Sequence, residues 1–126
     1  MNNLKNKNWW NNNPMTYIDW DFKKKDRIVK QNHDFKILNK KYLDTNPYLK
    51  KFFKKLKNKN FLKNKVTLDL GCGWGSSSIN LAKYTKKLFA IDISETSIKG
   101  AKQNIKFNSK KKIYIKKMDA EKLNFK

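Results

Sequence analysis

From Val66 onward, short apolar runs alternate with amphipathic stretches. Val66-Thr-Leu-Asp-Leu70 is a β-rich run that stops at glycines. From Ser76 to about Lys83, Ile79 and Ala82 stand at helical spacing. Leu88-Phe-Ala-Ile91 is a continuous apolar run, the pattern of a strand buried on both faces. Ser94 can cap a helix in which Ile98, Ala101, Lys102 and Ile105 share one face. Lys112 to Met118 alternates as a third strand. The order strand-helix-strand-helix-strand predicts an α/β fold, a parallel sheet joined by right-handed crossovers.

The first half of the chain reads differently. Residues 1–65 contain no glycine and are rich in lysine and aromatic residues. A helix is predicted from about Asp26 to Lys41. Asn46 can cap a second helix, with Pro47 in its first position. There Tyr48, Leu49, Phe52, Phe53 and Leu56 form one apolar face, and Lys50, Lys51, Lys54, Lys55 and Lys57 fill the other. Such a helix either packs on the sheet with its lysines in solvent or lies on an anionic membrane surface. Trp9 to Tyr17 has too many aromatics for a solvated tail and too many breakers for a long helix, so it is expected to be irregular and packed onto the domain. The chain therefore divides into a helical N-terminal segment, residues 1–60, and an α/β unit, residues 61–126.

With 126 residues, 38% of them apolar, one modest core is the natural outcome. No run approaches the roughly 20 apolar residues of a membrane span, and Met1 to Lys5 contain no apolar signal core. A single cysteine, Cys72, excludes an internal disulfide and suits the reducing cytoplasm. His33 has no neighbours at zinc-ligand spacing, so no metal site is expected. The net charge of +21 would ordinarily point to nucleic acid or anionic lipid. Yet the basic residues are 30 lysines and a single arginine, Arg27, and arginine supplies the bidentate fork for phosphates and base edges. The excess is also spread along the chain, +13 over residues 1–65 and +8 over 66–126. Lysine and isoleucine enrichment, together with 17 asparagines, is what an AT-rich coding sequence produces. A polyanion-binding surface is the rival explanation.

The chemistry concentrates at three strand ends. Asp69-Leu-Gly71-Cys-Gly73-Trp-Gly75 lies directly between a strand and a helix. Glycines there permit a tight turn and let a ligand approach the backbone, and the following helix offers its N–H groups to a carboxylate. The dinucleotide fingerprint would need glycine at position 76, where Ser76 stands, and a phosphate-binding loop would need Gly-Lys-Ser/Thr, which is absent. Asp92 ends the second strand, where a carboxylate can accept from both hydroxyls of a ribose. Asp119-Ala120-Glu121 ends the third. In a parallel sheet all three lie at the C-terminal edge, where ligands of open α/β folds bind. Asp69 or Asp119 could instead simply cap a turn. Cys72 has no histidine near it in sequence to serve as a base and reads as a small side chain that fits the loop.

Val66 to Gly75, Phe89-Ala-Ile-Asp-Ile-Ser94 and Met118 to Phe125 together resemble the first three motifs of class I S-adenosylmethionine-dependent methyltransferases, particularly the small-molecule type 11 group. The resemblance spans about residues 66–125. It implies a Rossmann-like fold, of which this chain holds the βαβαβ half of a seven-stranded sheet ordered 3-2-1-4-5-7-6. It also implies that Gly71, Gly73 and Gly75 lie under the methionine part of S-adenosylmethionine and that Asp69 faces its ammonium group. Asp92 would hold the ribose with Ile93 beside the adenine, and Asp119 and the Ala120 N–H would meet the adenine ring. Gly-Cys-Gly-Trp74-Gly is also similar to cyclopropane fatty acid synthases, but those read Thr-Leu-Ser where this chain has Asp92-Ile93-Ser94. Trp10 to Tyr17 resembles an N-terminal Trp…Asn-Pro segment of some bacterial methyltransferases; its aromatics either close over the cofactor or pack against the first helix.

The expected activity is methyl transfer to a small-molecule acceptor, an in-line displacement at the sulfonium in which the protein supplies alignment and excludes water. No catalytic base is assigned, because the resemblance places it on later strands and loops. The sequence stops just after the third motif, so it is expected to be a truncated part of a longer protein, inactive alone, with its first strand left as an exposed edge. The competing class is a non-catalytic basic module that binds nucleic acid or anionic lipid. A methyltransferase acting on RNA would combine both properties.

Overall fold

The computed structural model describes residues 3–15 and 32–125. Five helices and three strands follow in the order α1 (Asn3–Asn12), α2 (Asn32–Thr45), α3 (Pro47–Lys59), β1 (Val66–Leu70), α4 (Ser76–Leu81), β2 (Lys87–Asp92), α5 (Glu95–Asn108) and β3 (Ile113–Lys117). The sheet is parallel and ordered β1-β2-β3, with Leu70 opposite Ile91 and Asp92 opposite Lys117. The strands fall where the apolar runs predicted them, each within a residue or two at its ends. This is the Rossmann-like α/β arrangement expected, preceded by helices.

Side-chain alternation gives the sheet two unlike faces. Leu88, Ala90 and Ile113 point into the core and meet Phe53 and Leu56 of α3, Ile79 and Leu81 of α4, and Ile98 of α5. Burying each of the larger of these side chains is worth about 1.5–3 kcal/mol, so this layer holds the molecule together. The opposite face carries Val66, Leu68 and Leu70, all exposed, beside Tyr114. Among the described residues β1 hydrogen-bonds only to β2, which leaves its other edge unpaired there. The expectation that β2 is buried on both faces holds for Leu88, Ala90 and Ile91, while Phe89 is half-buried between Tyr114 and Phe125.

Several local expectations need correction. Trp9 to Asn12 are the end of α1 rather than irregular chain; Asn and Lys spacing through residues 3–8 gives no apolar stripe by which to foresee a helix. Thr16, Tyr17 and the stretch from Asp26 to Gln31 lie outside the described residues. Asn46 precedes α3, with Pro47 in the first turn, but its side chain does not cap. Its Nδ2 instead donates to the Tyr42 carbonyl at the end of α2 (2.8 Å), because the two helices join through this one residue. On α3 only Phe53 and Leu56 are buried, with Leu49 packed beside them; Tyr48 and Phe52 face outward. The helix packs on the sheet with its lysines in solvent. α4 stops at Leu81, shorter than expected. Ser94 does cap α5, its Oγ accepting from the Ser97 N–H (3.1 Å). Along α5 it is Asn104, not Lys102, that joins Ile98 and Ala101 inside.

Candidate cofactor cleft

The three strand ends open into one cleft of about 600 Å3, whose walls include Asp69, Gly71, Gly73, Asp92, Ile93, Asp119 and Ala120. Seven of the eight residues singled out from the sequence thus share one space. Gly75 is the exception, and it sits beneath the loop. Its φ of +82° strains any side chain, and its close approach to α5 would put a Cβ 3.3 Å from Ala101 Cβ, a tight contact. At Gly71 and Gly73 a Cβ would meet nothing within 4 Å, so the backbone there is bare toward the cleft.

The loop is tied to the second strand. The Gly71 and Cys72 N–H groups both donate to the Ile91 carbonyl, and the Gly73 N–H donates to Asp92 Oδ2 (2.9 Å). Asp92 Oδ1 accepts from the Ser94 N–H (2.8 Å). Two backbone donors therefore fix the carboxylate at the junction of β2 and α5 while leaving it lone pairs for a ligand. Asp69 accepts from Ser78 Oγ (2.6 Å). Burial raises the Asp69 carboxyl above its ordinary range; the Ser78 hydrogen bond opposes this, and the nearby Asp92 charge adds to it. An acid held this way gains most from a cationic partner. Asp119 Oδ1 accepts from the Glu121 N–H (2.9 Å), so this side chain does cap the turn after β3 while it lines the cleft. Cys72 is buried, and burial together with the Asp69 and Asp92 charges pushes its thiol pKa far up. It stays a thiol, in keeping with a packing role.

Other contributors left no motif in the sequence. Asn39 on α2 and Asn104 on α5 pair amide to amide (2.9 and 2.8 Å); Asn104 Nδ2 also donates to the Trp74 carbonyl (2.8 Å) and Ser76 Oγ to Asn39 Oδ1 (2.6 Å). This buried network clamps the far end of the glycine loop. Trp74 lies against Gly100, where a Cβ would fall 2.4 Å from its ring. Leu38 and Tyr42 of α2, with Asn6, Trp10 and Met15, complete the cleft wall. Isolated Asn, Ser and Trp residues on surface-like helices carry no sequence signal for this role; only the helix positions bring them here. Among the described residues no group of His, Cys, Asp and Glu side chains could hold a metal ion, and no helix is long and apolar enough to cross a membrane.

Similarity to other proteins follows the same part of the chain. A tRNA/tmRNA (uracil-C(5))-methyltransferase of Campylobacter lari is 40% identical over 60 residues, covering 48% of this chain and 17% of that protein. An uncharacterized RNA methyltransferase of Oceanobacillus iheyensis is 33% identical over 91 residues, covering 71% of this chain and 20% of that protein. The chain thus spans about a fifth of the length of these curated relatives. The crystal structure of magnesium protoporphyrin IX methyltransferase from Synechocystis, determined with bound S-adenosylmethionine, superposes with a TM-score of 0.62 at 20% identity, over 96% of this chain and 56% of that one. At that identity the likeness speaks for the fold, including the helices before β1. The family model for a methyltransferase domain matches residues 61–126, from just ahead of β1 to the end. Glycine loop, β2 carboxylate and β3 turn all fall inside that match, and the chain belongs to the methyltransferase domain family.

Proposed function

We propose that this chain forms the cofactor-binding part of an S-adenosylmethionine-dependent methyltransferase, and that the methyl acceptor is a small molecule. The observation that carries this reading is the meeting of three strand ends in one cleft: a bare glycine backbone, a fixed carboxylate after β2, and an Asp-Ala pair after β3. The donor set suits the cofactor. The raised Asp69 carboxyl would face a ligand ammonium, the absence of side chains at Gly71 and Gly73 leaves room for its methionine chain, and Asp92 would hold the ribose diol. Ile93, Asp119 and Ala120 line the same cleft, where Ile93 would sit beside the adenine and Asp119 and the Ala120 N–H would meet its edge.

The bound cofactor supplies a methyl group already activated on a sulfonium. The protein's share is alignment and exclusion of water. Asp92, fixed by two backbone N–H groups, orients the nucleoside without paying reorganisation on binding. Asp69 and the loop would hold the methionine end of the cofactor. The acceptor reading rests on composition: one arginine in the whole chain is a poor endowment for recognising phosphates. The RNA-acting relatives resemble this chain in its cofactor-binding region, which speaks for the donor more than for the acceptor.

Calorimetric titration with S-adenosylhomocysteine tests this reading. Micromolar binding that Asp92→Ala removes is the expected result. Absence of binding, with affinity for an RNA oligonucleotide that falls steeply between 50 and 200 mM salt, would favour the basic-module alternative.

A further inference from the structure

The cleft differs in charge from the molecule around it. Lysine supplies 30 of the 126 residues. Among the described residues, however, no lysine lines the cleft, whereas Asp69, Asp92, Asp119 and Glu121 all do. Lys7 and Lys117 line a separate, smaller space beside Ile93 and Met118, and Lys117 Nζ is held there by Glu95 (2.8 Å). A space of about 600 Å3 is roughly 10 Å across, so the carboxylates on its wall act on its contents within about one Debye length. Lysines on the outer surface act through screening solvent. The glycine loop and the strand ends are taken up by the cofactor, but Leu38 and Tyr42 are not. They stand one turn apart on α2, and Asn39 between them fastens that helix to Ser76 (2.6 Å) and Asn104 (2.9 Å). Ser76 and Ser77 follow the glycine loop directly and also line the cleft, so α2 borders the end where the methionine part and its sulfonium would lie.

We propose that the methyl acceptor sits between Leu38, Tyr42 and the glycine loop, and that it is a small amine with an apolar or aromatic body, carboxylates and phosphates being turned away. This rests on reading the cleft as an S-adenosylmethionine site and gives that reading a substrate class. Leucine and a phenol ring offer contact to an apolar body, and a tyrosine ring attracts a cation over its face. The cofactor brings an ammonium, a sulfonium and one carboxylate, so negative charge on the wall still exceeds positive once it is bound. An ammonium entering beside it is drawn in. An anion meets like charges and finds no lysine among the described residues to pair with, and a charge removed from water without a partner is costly.

Three phenols of similar shape test this on the 126-residue chain saturated with S-adenosylhomocysteine: tyramine, a cation; 4-hydroxyphenylacetate, an anion; and 4-ethylphenol, uncharged. In ligand-observed NMR titrations at low salt, tyramine should bind about tenfold more tightly than 4-hydroxyphenylacetate, with 4-ethylphenol between them. Added salt should narrow the gap. Tyr42→Lys places an ammonium on the same wall and should erase or reverse the preference while S-adenosylhomocysteine still binds as in wild type. Ser77→Lys, at the same end of the cleft, serves should Tyr42→Lys fail to fold. Equal binding of cation and anion, tighter binding of the anion, binding of none of the three, or a preference that the added lysine leaves unchanged overturns the proposal. If S-adenosylhomocysteine binds in those cases and Asp92→Ala abolishes it, the cofactor site stands and only the acceptor class falls; if the unaltered chain binds no S-adenosylhomocysteine, both fall.

Discussion

Asp69 shows how one side chain can oppose stability and serve binding. Its folded carboxyl titrates above the ordinary value of 3.8 because burial disfavours the charged form. The native state therefore keeps the proton to higher pH than the unfolded chain, and stability falls as pH rises through that window. Asp69→Asn keeps an acceptor for Ser78 Oγ and removes the buried charge. At pH 7 its midpoint in urea should equal or exceed wild type, while its affinity for S-adenosylhomocysteine drops; a lower midpoint would show that the charge is paid for within the free protein. For the same reason, wild-type affinity should weaken on acidification earlier than a carboxyl of pKa 3.8 would allow, a trend titrations between pH 4.5 and 7.5 would reveal. The glycines separate by what surrounds them. Gly71→Ala meets open space and bears only the left-handed backbone strain, about 1 kcal/mol, whereas Gly75→Ala adds contact with Ala101 and Ile105. Thermal denaturation should rank Gly75→Ala as the more damaging, and ligand titration should show Gly71→Ala impaired in binding out of proportion to its stability.

At the scale of elements, α2, α5 and the glycine loop form one unit through Asn39 and Asn104. Asn104 is fully buried, so Asn104→Ala strands the Trp74 carbonyl and Asn39 Nδ2, while Asn39 Oδ1 keeps its hydrogen bond from Ser76 Oγ. Leaving buried polar groups unpaired costs about 1–3 kcal/mol. Urea denaturation should register that loss, and cofactor affinity should fall with it because the loop end at Trp74 loses its clamp; full affinity in a destabilised Asn104→Ala would confine the network to the fold. The strands and α5 were legible in the sequence because period-two and period-3.6 patterns survive in them, helped by Ser94 as a cap. α1 was not legible. Its fold depends on a docking partner, α5, rather than on an apolar stripe of its own.

At the scale of the molecule, the described residues cover the parallel sheet with helices on one face, whereas such sheets are normally buried on both. Val66, at 63% exposure, together with Leu68 and Leu70 leaves an apolar strip beside that unpaired edge of β1. Strips of this kind next to unpaired backbone groups promote association. The isolated 126-residue chain should therefore self-associate in a concentration-dependent way, and Val66→Lys with Leu68→Lys should reduce this in analytical ultracentrifugation without lowering the melting temperature. The 30 lysines keep a strong positive field around this surface, so added salt, by screening it, should increase association.

The sequence by itself determined the order of elements from β1 onward, the parallel sheet and the three chemical strand ends. Each of those is written locally, as a hydrophobic period or as glycines and acids at fixed spacing, and chain connectivity then sends the strand ends to one edge. The tertiary structure alone decided which partners surround them. Asn11 on α5, the Asn39–Asn104 pair and Trp74 on Gly100 join residues 26 to 84 positions apart. A polar side chain at such a site has the same local signature as one in solvent, and only packing distinguishes the two.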